Sequence, residues 1–172
     1  MASLLINGNF LCRSLTGIER FAWEVCSRLD GLLGDRDDVR ILVPVNAKRF
    51  PDWRHIKPVL SEKPLKSFPL WDMCTVARYA KRLDATALSF SNTAPLGKAC
   101  GIAFIHDIYA RDCPRDFTSL KEKLIRAYSC FHYRNIARHA EKVVTVSSFS
   151  KKQIEEAYGV PQDRIAVKIG RA

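Results

Sequence analysis

No apolar run in this chain approaches the ~18–20 residues that a helical membrane span requires, which excludes such a span. Only Met1-Ala2-Ser3-Leu4-Leu5-Ile6 precede Asn7-Gly8, too few apolar residues for a secretory signal and with no basic segment ahead of them. The six cysteines (Cys12, Cys26, Cys74, Cys100, Cys113, Cys130) form no CxxC pair, and with four scattered histidines they show no zinc spacing. Reduced, mostly buried thiols in a cytosolic protein are therefore expected rather than disulfides or a metal site. There is no G-x-G-x-x-G, no P-loop, no internal repeat and no low-complexity segment.

What is present is the balance of a globular protein: 172 residues, 47% hydrophobic and 27% charged, a length that suits a single domain. Lys and Arg number 28 against 18 Asp and Glu, a net charge of +10. Nucleic acid, an anionic membrane surface or a phosphate-bearing substrate would each account for that excess. Nucleic acid is the weakest of the three, because the aromatics fall singly or on apolar faces and no recognition motif occurs.

Apolar periodicity places strands at Ser3–Gly8, Val39–Val45, His55–Leu60, Ala85–Phe90, Gly101–Ile105, Lys142–Val146 and Arg164–Ile169. Helices are expected at Gly17–Leu33, Leu70–Leu83, Phe117–Ala140 and Ser148–Tyr158, the last stopped by Gly159-Val160-Pro161. Strands alternating with helices, several of them continuously apolar, predict an α/β fold: a Rossmann-like, doubly wound, mostly parallel sheet. Ligands of such sheets bind at the carboxyl ends of the strands, near the point where strand order reverses. Asn9–Gly17, Ser91–Pro95, His106–Tyr109 and Ser147–Ser150 all follow strands and are expected to face one crevice.

Each of these segments has two readings. Thr16-Gly17 opens a helix whose unpaired backbone N–H groups suit a phosphate oxygen, with Arg13 or Arg20 adding charge; alternatively Thr16 only caps the helix. His106, with Asp107 beside it, can hydrogen-bond a sugar hydroxyl or exchange a proton near neutral pH, or be a satisfied structural histidine. Ser147 and Ser150 are either caps or a second hydroxyl-and-amide site. Arg111–Lys152 carries ten Lys or Arg against four Asp or Glu. Leu120, Leu124, Ala127, Tyr128 and Phe131 share one side of its helix, while Lys123, Arg126, Tyr133 and Arg134 share another. That is either a face for anionic lipid or a solvated basic face over an ordinary core.

Taken together, several stretches resemble glycosyltransferase family 4 (the group 1 glycosyltransferases). They are Ile6-Asn7-Gly8-Asn9-Phe10-Leu11-Cys12-Arg13, Thr16-Gly17-Ile18-Glu19-Arg20-Phe21-Ala22, His106-Asp107, Ala140–Ser150 and Gly159–Val167. The resemblance implies one half of a GT-B architecture, in which two Rossmann-like domains face each other and a sugar passes with retention from a nucleotide-sugar to a glycan or lipid-linked acceptor. It assigns residues 1–172 to the N-terminal, acceptor-side domain, places Thr16, Gly17 and Arg20 at the donor diphosphate, and sets His106 and Asp107 beside the transferred sugar. Ser147 and Ser150 fall in the strand-to-helix turn at the cleft edge. The nucleotide-sugar is a substrate, so no cofactor is implied, and helix N-termini with cationic side chains can neutralise the departing diphosphate without a metal. The family's E-x7-E glutamate pair is missing from this sequence, and Asn9 stands where an arginine is common. The expectation is therefore a truncated or split enzyme, inactive without its nucleotide-binding half, cytoplasmic and in peripheral contact with the inner face of the membrane. The alternative is a non-catalytic module, derived from such an enzyme, that binds a partner or a membrane surface.

Overall fold

The computed structural model describes residues 3–168. Ile169, expected to end the last strand, and the linker-like Gly170–Ala172 lie outside the described residues. The chain divides into two compact units, residues 1–90 and 91–172.

In the first unit β1 (Ser3–Asn7) pairs in parallel with β2 (Val39–Val43) and with β4 (Ala85–Ser89), and β2 pairs in parallel with β3 (Lys57–Leu60). The spatial order is thus β3-β2-β1-β4, and strand order reverses between β1 and β4. β2 is buried along nearly its whole length, as its unbroken Val/Ile/Leu run requires. β3 is mostly exposed, and Pro58 within it is tolerated because an edge strand can spare one ladder donor. Helix α1 (Ile18–Leu33) follows β1, burying Ala22, Cys26, Asp30 and Leu33. The helix expected at Leu70–Leu83 is built in three pieces: α2 (Phe68–Leu70), a π-helical turn (Trp71–Thr75) and α3 (Val76–Arg82). Its Trp71, Val76, Tyr79 and Ala80 close a core with Leu5, Leu42, Leu65 and Ala87.

Asp30 is a charge on the buried face of α1. Its carboxylate accepts the backbone N–H groups of Arg54 (2.9 Å), His55 (2.8 Å) and Ile56 (2.8 Å). Burial pushes the Asp30 carboxyl up, but these three bonds and nearby His55 outweigh it and hold it below the usual carboxylate range. The stretch directly ahead of β3, which has little periodicity of its own, is held by this side chain together with the Trp53 Nε1 bond to Ser27 Oγ (3.2 Å).

In the second unit β5 (Ile102–Phe104), β6 (Lys142–Thr145) and β7 (Ile165–Val167) pair in parallel in that order. Two short elements, α4 (Tyr109–Asp112) and a 3-10 turn at Pro114–Asp116, occupy the stretch after β5. Helix α5 (Leu120–His139) starts later than the expected Phe117, because Ser119 and Glu122 form a reciprocal capping box there. Helix α6 spans Ser148–Tyr158 as expected, and left-handed Gly159 ends it. The core gathers Ala103, Ile105, Ile108, Tyr133, Ile136, Val143, Ile154 and Ile165.

His132 lies wholly within the second unit. Its Nδ1 accepts the Ala94 N–H (3.3 Å), and its ring packs edge-on to Tyr128 and Phe131. Burial lowers its pKa to about 4 from an ordinary 6.5. The folded state therefore favours neutral imidazole, so this contribution is complete above pH 6.5 and is lost as pH falls towards 4. Urea unfolding should show about 2 kcal/mol less stability at pH 5 than at pH 7 from this group. In His132→Phe that part of the pH slope should vanish, and an unchanged slope would remove His132 as its source.

Candidate functional site

β1 delivers the chain to the switch point of the first unit, and the residues there bind one another tightly. The N–H of Asn9 donates to Asn7 Oδ1, starting a 3-10 turn at Gly8–Cys12 where a plain loop is expected from the sequence. Trp71 Nε1 donates to the same Asn7 oxygen (2.9 Å), while Asn7 Nδ2 and Asn9 Nδ2 each donate to Asp72 Oδ1 (2.8 Å). All four residues are buried. Gly8 is obligatory between them, since a Cβ there would lie 2.2 Å from the carbonyl oxygen of Leu42 on β2. The Asn-Gly-Asn motif thus anchors the loop that leads to Gly17, and Asn9 is occupied holding Asp72.

That loop ends at Gly17, which has φ 50° and stands as the N-cap of α1 without a side-chain capping bond. Thr16 is exposed and is not the cap residue. A Cβ at Gly17 would meet nothing within 4 Å, so the positive φ alone selects glycine. The start of this 16-residue helix therefore has no side-chain cap, and of its first-turn N–H groups that of Glu19 donates to the Thr16 carbonyl oxygen (3.1 Å). Arg20 lies exposed on that turn. Arg13 is committed elsewhere: it pairs with Glu19 (3.4 Å) and its guanidinium carbon sits 3.9 Å over the Phe68 ring.

In the second unit the N–H of Ile105 continues the ladder to Val144, and the chain then turns away. The backbone N–H of His106 donates to Asn92 Oδ1 (2.8 Å), and its half-buried ring stacks on Phe104 at 5.8 Å between centroids. Asp107 is exposed, with Oδ1 accepting the Tyr109 N–H (2.9 Å) at the start of α4. From the neighbouring strand β6 the chain passes through Ser147 into α6. Ser147 Oγ accepts the Ser150 N–H and donates to Ser150 Oγ, both at 3.0 Å, and Ser150 is buried. These two hydroxyls serve the helix start. Because β5 and β6 are adjacent and parallel, His106, Asp107 and the start of α6 leave the same end of one sheet.

The motifs and strand ends of the sequence do not point to Asp72, and they point to Asn92 only as part of the Ser91–Pro95 segment that follows a strand. Asp72 had a usable signal: with Val76, Tyr79 and Ala80 it falls on the i, i+4, i+7, i+8 face, a carboxylate where the helix needs core residues. Asn92 had none beyond its place after a strand. Among the described residues no helix is long and apolar enough to cross a membrane.

Parallel strands with intervening helices, a helix N-terminus after β1 at the switch point and a histidine at the carboxyl end of β5 define the class: a Rossmann-like α/β protein of the kind that forms one half of a GT-B enzyme. A family model described as Glycosyltransferase Family 4 matches residues 15–167, and the chain belongs to that family. Among curated proteins none matches it.

Proposed function

We propose that this chain is the acceptor-side half of a retaining glycosyltransferase that moves a sugar from a nucleotide-sugar to a glycan or lipid-linked acceptor. The observation carrying this reading is the Gly17 start of α1, a capless helix N-terminus held at the switch point by the Asn7–Asp72 cluster, in a chain of family 4. In this reading the amides after Thr16 and Gly17, with Arg20, bind an oxygen of the donor diphosphate and stabilise it as it departs. His106, oriented by Asn92 and Phe104, lies against the transferred sugar. Asp107 fixes the turn that follows, and Ser147 with Ser150 fixes the start of α6.

Amide shifts of the isotopically labelled chain, followed while a nucleotide-sugar is added, test the diphosphate assignment. The Gly17–Arg20 amides should move with the largest amplitude, and Arg20→Ala should weaken the response. Shifts confined to other segments would contradict it.

A further inference from the structure

The first unit holds a cavity of about 410 Å³ to which the sugar-transfer reading has given no role. That volume falls within the ~300–1,000 Å³ of small-molecule sites. The cavity follows β3, at the same end of the parallel sheet as the Gly17 loop. One side is the loop after β3, with Lys63, Leu65, Lys66 and Ser67; the other is the π-helical turn, with Trp71 and Thr75. The loop is pre-formed. Ser61 Oγ accepts the Val45 N–H (3.2 Å) and donates to the Lys63 carbonyl (2.7 Å), and the Asn46 side chain holds both the Leu65 N–H (2.8 Å) and its carbonyl (3.1 Å). Trp71 is held by its bond to Asn7, so this wall and the loop to Gly17 share one anchor.

The charge on this cavity is of one sign. Glu62, the carboxylate beside the loop, is taken by Arg78 (3.2 Å) and Arg82 (2.6 Å). Lys63 and Lys66 are exposed, and neither enters an ion pair among the described residues. Leu65 and Trp71 offer an apolar wall to the C–H face of a sugar ring, and Ser67 and Thr75 offer hydroxyls to its hydroxyls. We propose that this cavity holds the acceptor, and that the acceptor is an anionic sugar whose carboxylate or phosphate meets Lys63 and Lys66. Charge complementarity selects it: two ammonium groups beside an apolar wall, with the adjacent carboxylate already neutralised, favour an anion joined to a ring over a neutral sugar. The acceptor role rests on the proposed function, whereas the binding of an anionic sugar does not.

Amide shifts of the labelled chain test the binding, with glucuronate and glucose 6-phosphate as probes and glucose as the neutral control. At least one anionic probe should move the amides of residues 63–75 and glucose should not; the tighter probe identifies the anion. Lys63→Gln with Lys66→Gln should raise the Kd about tenfold. Lys121→Gln with Lys123→Gln, exposed lysines of α5, should leave it unchanged. No shift in residues 63–75 with either anion, equal shifts with glucose, or an unchanged Kd in Lys63→Gln with Lys66→Gln would overturn the proposal. With the donor-side half present, the same variant should raise the acceptor KM and leave kcat in place. Transfer to neutral sugars with an unaltered KM would remove the acceptor role and leave the proposed function standing. Anion binding without transfer under any pairing would do the reverse.

Discussion

His106→Ala, assayed with the donor-side half present, should lower kcat/KM by about 10²–10³-fold while leaving the fold intact. A group that holds or exchanges a proton beside the reacting centre contributes on the order of 10²–10⁴, and a loss of that size is about 3–4 kcal/mol of transition-state stabilisation. The fold should tolerate the change, because the ring is only half-buried and the hydrogen bond to Asn92 comes from the backbone. Two further variants separate the roles. His106→Asn retains a hydrogen-bonding side chain but cannot shuttle a proton, so partial recovery would mark sugar binding as the main role. Asn92→Ala leaves the imidazole in place but frees its backbone, and should give a smaller loss. Wild-type rates in His106→Ala would remove this residue from the chemistry.

Gly8→Ala should destabilise the first unit by about 3 kcal/mol or prevent its folding. The added methyl meets a carbonyl of β2 at 2.2 Å, and backbone in the middle of a parallel ladder cannot move aside as a side-chain tip can. Overpacking of this kind typically costs about 1–3 kcal/mol and sometimes more. Relief would require shifting β1 from β2 or breaking the Asn7–Asp72 and Asn9–Asp72 bonds, which are buried. Thermal unfolding would show a fall of roughly 6–12 °C. A variant within a degree or two of wild type would mean that the close approach of Gly8 to β2 does not constrain the fold.

The parallel sheet was legible because buried strands and amphipathic helices differ in period and length. Val39–Val43 and Ser148–Tyr158 needed nothing beyond that pattern. Three features were not legible in the same way. The segment from Asn46 to Pro69 has little periodicity, since its geometry comes from distant partners: Asp30 holds the N–H groups of Arg54, His55 and Ile56, and Asn46 pairs with the backbone of Leu65. The pattern of α5 shows an apolar stripe but not whether that stripe faces the core; the structure buries Tyr133, expected on the basic side, and exposes Leu120, Leu124 and Phe131. The helix in the Leu70–Leu83 region contains a π-turn that brings Asp72 to Asn7 and Asn9, a pairing across more than sixty residues that local propensity cannot encode. Of the site, the strand-end positions of Gly17, His106 and Ser147 were readable, because a turn after a buried strand has a local signature. The side chains that orient them were not, because those come from distant segments.

The account is tested most directly by sugar transfer from a panel of nucleotide-sugars, measured for this chain alone, for the donor-side half alone and for the two together. Transfer only in the combined sample, abolished or severely reduced by His106→Ala, is the predicted result. Full turnover by these residues alone, or none in any combination across the panel, would contradict it.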